Sequence, residues 1–134
     1  MSFTAVVDAS AIIEVVAAKS PDPALLRRLS TSVVAAPELL DVEVLGVLRR
    51  LERTGALSSR EATSALAMLH KAPVERISHR PLVETAWEVR HNVHSADAFY
   101  LALARRLAVP VVTCDAKLAG SHGHQVEIEV YPVS

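Results

Sequence analysis

Four carboxylates interrupt stretches that otherwise read as buried. Asp8 closes the run Ala5-Val6-Val7, Asp115 closes Val109-Pro110-Val111-Val112-Thr113-Cys114, and Glu43 and Asp97 are embedded in apolar helical stretches. Grouped carboxylates repel one another and are costly to desolvate, so a fold that gathers several of them usually holds a cation there. A divalent-metal site is therefore the first chemistry to consider. Hard oxygen ligands suit Mg²⁺, with Mn²⁺ as an alternative, and such ions serve phosphoryl chemistry through a few carboxylates plus substrate oxygens.

The elements that must position these acids follow from the alternation of short β-branched runs with longer helical patterns. Thr4 to Val7, Ser32 to Ala35, Val74 to Ile77, Val111 to Thr113 and Val126 to Val130 read as five strands. Helical segments between them predict an α/β fold with a mostly parallel sheet covered on both faces. One helix begins after Pro37 and ends near Gly55, and Ser58-Ser59-Arg60-Glu61 has the spacing of a capping box that opens another towards Leu69. Pro81 suits a first helical turn leading through Trp87 to about His91, and a further helix runs from His94-Ser95 through Leu107. Ligands of open parallel sheets bind beyond the C-terminal strand ends, where strand order reverses. Asp8 and Asp115 both occupy such ends, so they meet across one crevice if the first and fourth strands are neighbours.

Glu43 and Asp97 must then come from adjoining helices. The helical neighbours of Glu43 are Leu39, Leu40, Gly46 and Val47, so this acid borders a buried stripe, whereas Glu38 and Asp41 read as solvated or dipole-favoured acids. Asp97 has Val93, His94, Tyr100 and Leu101 around it, again mostly apolar. Each acid has a plainer reading: Asp8 and Asp115 as helix caps, Glu43 as a partly exposed helix acid, Asp97 as an N-terminal helix acid.

Four ordered blocks then carry a resemblance: Val6-Val7-Asp8-Ala9-Ser10-Ala11, Pro37-Glu38-Leu39-Leu40-Asp41-Val42-Glu43-Val44, Asp97-Ala98-Phe99-Tyr100-Leu101-Ala102-Leu103-Ala104, and Val112-Thr113-Cys114-Asp115-Ala116-Lys117-Leu118. Over essentially its whole length the chain resembles the PIN-domain ribonucleases, and more narrowly the VapC toxins of bacterial toxin–antitoxin pairs. The resemblance implies a single PIN domain over residues 1–134, with a three-layer α/β/α fold and strand order 3-2-1-4-5. It implies Mg²⁺ or Mn²⁺ bound by Asp8, Glu43, Asp97 and Asp115, which are also its catalytic residues, with Ser10 and Thr113 orienting the cluster. It implies endonucleolytic hydrolysis of RNA, transfer or ribosomal, to 5′-phosphate and 3′-hydroxyl ends. A small VapB-type antitoxin is the implied partner, and a homodimer through the Ser59 to Leu69 and Pro81 to His91 helices is the implied assembly. Ala96 departs from the family, where many relatives carry tyrosine before the third acid.

Arg90 and Asn92, just ahead of the Asp97 helix, are candidate RNA contacts, although solvated helix-end positions account for them equally well. His122-Gly123-His124 with His91 and His94 invites a zinc reading, but the spacing matches no closed zinc pattern and Cys114 supplies one thiolate. A receiver-like phosphoacceptor needs an aspartate after the third strand, where this chain has Ile77-Ser78-His79. A haloacid-dehalogenase phosphatase needs one at position 10, where it has Ser10. A catalytically silent binding module on the same fold is the remaining rival, and the presence of all four acids counts against it.

Composition narrows the setting. A chain of 134 residues suits one domain. Its lone Cys114 forbids an internal disulfide and predicts a small buried strand residue in a reducing cytoplasm. No leader pattern or membrane-length apolar run of roughly 18 residues occurs, which predicts a soluble protein away from membranes. Basic and acidic residues nearly balance at 14 to 15, so RNA binding cannot rest on a broad basic surface. Few aromatics are available to stack bases, favouring recognition of RNA shape or a short loop. Hydrophobic residues make up 51% of the chain, more than a lone small domain needs to bury, so part of the surplus belongs at interfaces.

Overall fold

The computed structural model describes residues 2–121 and 123–134; His122, considered above for zinc, lies outside the described residues. In chain order the elements are β1 (Ala5–Val7), α1 (Ala9–Ala17), α2 (Pro23–Ser30), β2 (Val34–Pro37), α3 (Leu39–Arg53), α4 (Ser59–Lys71), β3 (Val74–Ile77), a 3₁₀ turn (Arg80–Leu82), α5 (Val83–Glu88), α6 (Ser95–Leu107), β4 (Val111–Thr113), α7 (Ala116–Ala119) and β5 (Ile128–Val130). The strands form one parallel sheet in the order β3-β2-β1-β4-β5, flanked by helices as an α/β/α sandwich. This is the expected order and differs from the 2-1-3-4-5 order of receiver-like sheets.

The sheet's centre is dry. Ala5, Val6, Val7, Val111 and Val112 are wholly buried, as expected for strands covered on both faces. Helix α1 packs against α3 and α4, while α6 packs against β1 and β2. Because β1 and β4 are paired with Val7 opposite Val112, their C-terminal ends fall side by side and the strand order reverses between them.

Local signals explain most boundaries. The capping box at the start of α4 forms: the Glu61 N–H donates to Ser58 Oγ at 3.1 Å and the Ser58 N–H to Glu61 Oε1 at 2.8 Å. Gly55, with φ +83°, supplies the left-handed residue just past α3. Four elements differ in their bounds from expectation. Strand β2 starts and ends two residues later than Ser32 to Ala35, because Ser32 closes the turn after α2, its N–H bonding the Leu29 carbonyl. Pro37 then closes the strand, paired with Ile77, the Glu38 N–H continues the ladder to the Ile77 carbonyl at 2.8 Å, and α3 begins after Pro37 as expected. The helix expected from Pro81 to His91 is broken up: it begins as the 3₁₀ turn, is regular only through Glu88, and runs on through successive i→i−3 bonds at Val89, Arg90 and Asn92. Strands β1 and β5 are shorter than expected at their N-terminal ends, starting at Ala5 and Ile128. Among the described residues no helix is long and apolar enough to cross a membrane.

Candidate active site

At the end of β1 the backbone of Asp8 stays extended (φ −98°, ψ 175°), so its side chain turns back over the first turn of α1. The Ala11 N–H donates to Asp8 Oδ1 at 3.1 Å and the Ser10 hydroxyl donates to the same oxygen at 2.7 Å. The Thr113 hydroxyl donates to Oδ2. Each hydroxyl has one proton to give. With both protons committed to Asp8, Ser10 Oγ accepts from the Cys114 N–H (2.9 Å) and Thr113 Oγ1 from the Asp115 N–H (2.9 Å). Two hydroxyls thus tie the ends of β1 and β4 to one carboxylate, and Ser10 and Thr113 stand 3.1 Å apart. Asp8 is 4% exposed. Burial raises its pKa above the ordinary carboxylate value against the pull of the Thr113, Ser10 and Ala11 donors, and the charge of Asp97 raises it further.

Asp115 sits at the matching end of β4 and caps the short α7, accepting from the Lys117 N–H at 2.9 Å. The plainer reading of Asp8 and Asp115 as caps therefore holds as well. Each cap engages Oδ1, leaving part of the acceptor capacity of the two groups for another partner.

The remaining acids arrive from helices on either side. Asp97 lies in the first turn of α6 and is partly buried. Its pKa is raised, first by burial and then by the charges of Asp115 and Glu43, with His94 opposing. Asp97 thus feels all three other acids, since Asp8 is coupled to it too. Glu43, on α3, accepts a 2.6 Å hydrogen bond at Oε1 from the hydroxyl of Tyr100 on α6. That phenol is 1% exposed, and burial, the bond to Glu43 and the nearby charges of Asp8 and Asp97 push its ionisation far above the ordinary range, so it remains a donor.

The donor set is made only of carboxylate oxygens, and the raised pKa values of Asp8 and Asp97, due first to burial and then in part to neighbouring acids, reflect a charge cost that a cation would relieve. Both observations fit Mg²⁺ or Mn²⁺. Among the described residues no three Asp, Glu, His or Cys side chains stand close enough, as placed, to enclose an ion by themselves.

The two candidate RNA contacts, Arg90 and Asn92, are both exposed at the surface. The Arg90 guanidinium lies 4.2 Å from the centre of the Trp87 ring and donates to the Trp87 carbonyl at 2.9 Å. The Asn92 amide lies so close to Gly123 that a Cβ there would come within 2.3 Å of Asn92 Nδ2. Cys114 is partly buried, and burial with the charge of Asp8 lifts its thiol pKa to about 11, leaving it unreactive. Asp41, read as a solvated or dipole-favoured acid, does lie in the first turn of α3 with its side chain about half exposed, and it also forms a bidentate pair with Arg76, with closest approach 2.9 Å. Residue spacing did not single out Tyr100 or His94 for the site. The available signal was their position three residues either side of Asp97, on its face of the helix.

Two apolar grooves lie away from the acids. One runs between α5 and α6, lined by Val83, Trp87 and Phe99; the other lies between α3 and α4, lined by Leu45, Leu66 and Ala67. An apolar hollow does not suit a polyanion and a hydrated cation, so these grooves are not the reaction site.

The PIN domain family profile matches residues 5–120. The chain is 38% identical over 125 residues to ribonuclease VapC12 of Mycobacterium tuberculosis, covering 93% of this chain and 97% of that protein. It is 41% identical over 127 residues to ribonuclease VapC1 of the same organism, covering 93% and 96%. Among solved structures, the fold is similar to that of M. tuberculosis VapC20, described as a sarcin-ricin loop cleaving toxin, with a TM-score of 0.65 at 22% identity over 87% of this chain and 94% of that one.

Proposed function

Since the chain belongs to the PIN-domain family and, within it, to the VapC ribonucleases, we propose that it is the ribonuclease toxin of a toxin–antitoxin pair, a divalent-metal-dependent endonuclease built on one PIN domain over residues 1–134. The observation that carries this reading is that Asp8 and Asp115 end the paired strands β1 and β4, linked through the Thr113 hydroxyl, while Glu43 bonds Tyr100, one helical turn after Asp97.

Asp8 and Asp97 would hold the principal Mg²⁺ or Mn²⁺, with Glu43 and Asp115 completing the pocket. When bound, such an ion supplies Lewis-acid polarisation of the scissile phosphate and charge stabilisation in an in-line displacement. The chain's own contribution is placement. Ser10 and Thr113 fix both oxygens of Asp8, so this ligand does not have to be ordered during the reaction. Glu43, less enclosed, is the acid suited to accept a proton from the attacking water. The balanced net charge gives little general attraction for RNA, so binding would depend on the cation-loaded cleft and local arginines, and a structured loop of transfer or ribosomal RNA is the substrate class that fits.

The exposed apolar residues Val42, Leu45, Leu66 and Met68 on α3 and α4, and Val83 and Trp87 on α5, are the surfaces for protein partners. We assign them to a VapB-type antitoxin and to a homodimer interface that includes α4 and α5. Light scattering of the isolated chain is expected to show a dimer, and co-expression with the cognate antitoxin to yield a complex that does not cleave RNA. The central test is cleavage of structured RNA with Mg²⁺, with EDTA, and by Asp97→Asn. Activity that survives both chelation and the substitution would refute a metal nuclease.

A further inference from the structure

We propose that Tyr100 is a positioning residue for the reaction, holding Glu43 in the orientation that presents its carboxylate to the cleft. The inference rests on the ribonuclease reading above and adds to it a residue outside the acidic quartet.

Glu43 and Tyr100 come from different helices, α3 and α6, and meet through a 2.6 Å bond from the phenol to Oε1. The two partners differ in freedom. Tyr100 is 1% exposed and is among the largest fully buried side chains, so its ring has no room to move. Glu43 is only partly buried and, with three rotatable bonds, can sample many positions over the cleft. A fixed donor bound to a mobile acceptor sets the position of the acceptor. The bond engages Oε1 and not Oε2.

Three further features separate this arrangement from a buried hydroxyl that has merely found a convenient acceptor. Tyr100 follows Asp97 by three residues, so one turn of α6 delivers an acid and also the donor that orients a second acid. The buried phenol bridges α6 and α3, so its bond ties together the two helices that carry Asp97 and Glu43. It also parallels the other side of the site, where the Ser10 and Thr113 hydroxyls fix Asp8. Each of the two acids is therefore fixed by a neutral hydroxyl.

The test is Tyr100→Phe in the full chain, which keeps the ring and removes the bond. Mn²⁺ binding is measured by calorimetry and RNA cleavage under steady-state conditions. We expect the Mn²⁺ dissociation constant to rise about 10–100-fold, the range for loss of a group that orients a metal ligand. kcat should fall by a similar factor, with KM for RNA within about twofold of wild type. The same substitution in a Glu43→Ala background separates positioning from packing. There, Tyr100→Phe should change Mn²⁺ affinity no further, since the group it orients is gone. Wild-type Mn²⁺ affinity and kcat in Tyr100→Phe, or an undiminished loss in the Glu43→Ala background, overturns the inference and leaves the ribonuclease reading intact. A wild-type chain that binds no Mn²⁺ and cleaves no RNA with either metal overturns both. If Tyr100→Phe is too unstable to assay, Glu43→Gln serves instead. It keeps the acceptor oxygen but weakens the bond by removing the charge, and Mn²⁺ affinity equal to wild type there also overturns the inference.

Discussion

The two halves of the acidic cleft are built on different plans. On the side formed by β1 and β4, Asp8 accepts from three donors, and the hydroxyls that hold it are bound in turn by the backbone of the neighbouring strand end. On the side formed by α3 and α6, Glu43 has the single bond from Tyr100, and Asp97 has no hydrogen bond among the described residues. The sheet side is thus a finished polar network that would stand without an ion. The helix side carries charge with few partners, and so would favour a bound cation. A site of this kind needs both: ligands fixed well enough to bind without reordering, and repulsion enough to make binding favourable.

The comparison breaks most sharply at the level of activity. Asp8→Asn and Asp97→Asn are each expected to lower kcat by on the order of 10³-fold, as removal of a charged ligand from a metal-assisted site does. Cleavage rates of the purified variants with saturating Mg²⁺ decide this; one variant cleaving like wild type would show that its half of the cleft is dispensable. Next in size is Thr113→Val, nearly isosteric but without the hydroxyl. It removes a donor from buried Asp8 and the acceptor of the Asp115 N–H. A loss of about 1–3 kcal/mol of folding stability in urea denaturation is expected, the usual effect of leaving buried polar groups unpaired. No comparable loss is expected from Asp97→Asn, since Asp97 has no hydrogen bond to lose.

How much of this was readable before folding depends on whether the signal was local. Acids ending apolar runs stand out because burial selects so strongly against them, and Ser58 with Glu61 marks the start of α4 for purely local reasons. The strand order entered with the resemblance; periodicity alone left the neighbours of β1 open. Long-range pairing was harder to see. Tyr100 passes for one more apolar position of α6, because the Glu43 it serves is 57 residues away. Asp41 is the half-exposed first-turn acid expected, but its pairing with Arg76 depends on β3, 35 residues away. The later end of β2 has the same cause: Pro37 belongs to the strand only through its pairing with Ile77 of β3, 40 residues away.

The smallest predicted effects are also the ones that compare an unpartnered acid with a partnered one most directly. Burial and like charges raise the pKa of Asp97 in the folded state. Ionising it therefore costs the folded chain stability, a cost absent below the unfolded-state value and complete above the folded one. Asp97→Asn should accordingly stabilise the metal-free protein at neutral pH, by about 1 kcal/mol or less after solvent screening, and the gain should vanish as the pH falls into the carboxylate range. Glu129, on β5, is the opposite case. Arg28 of α2 grips both its oxygens, at 2.7 and 3.2 Å, and holds its pKa below the ordinary value. Its contribution is present above the unfolded-state value and lost as pH falls through the folded one, so Glu129→Gln should cost about 1 kcal/mol or less at neutral pH and nothing in strong acid. Thermal midpoints of the two variants, followed from pH 7 downward without metal, should differ from wild type with opposite signs and converge on it at low pH. If Asp97→Asn instead behaves like Glu129→Gln, Asp97 has a compensating partner and the helix side of the cleft is not the source of the drive to bind a cation.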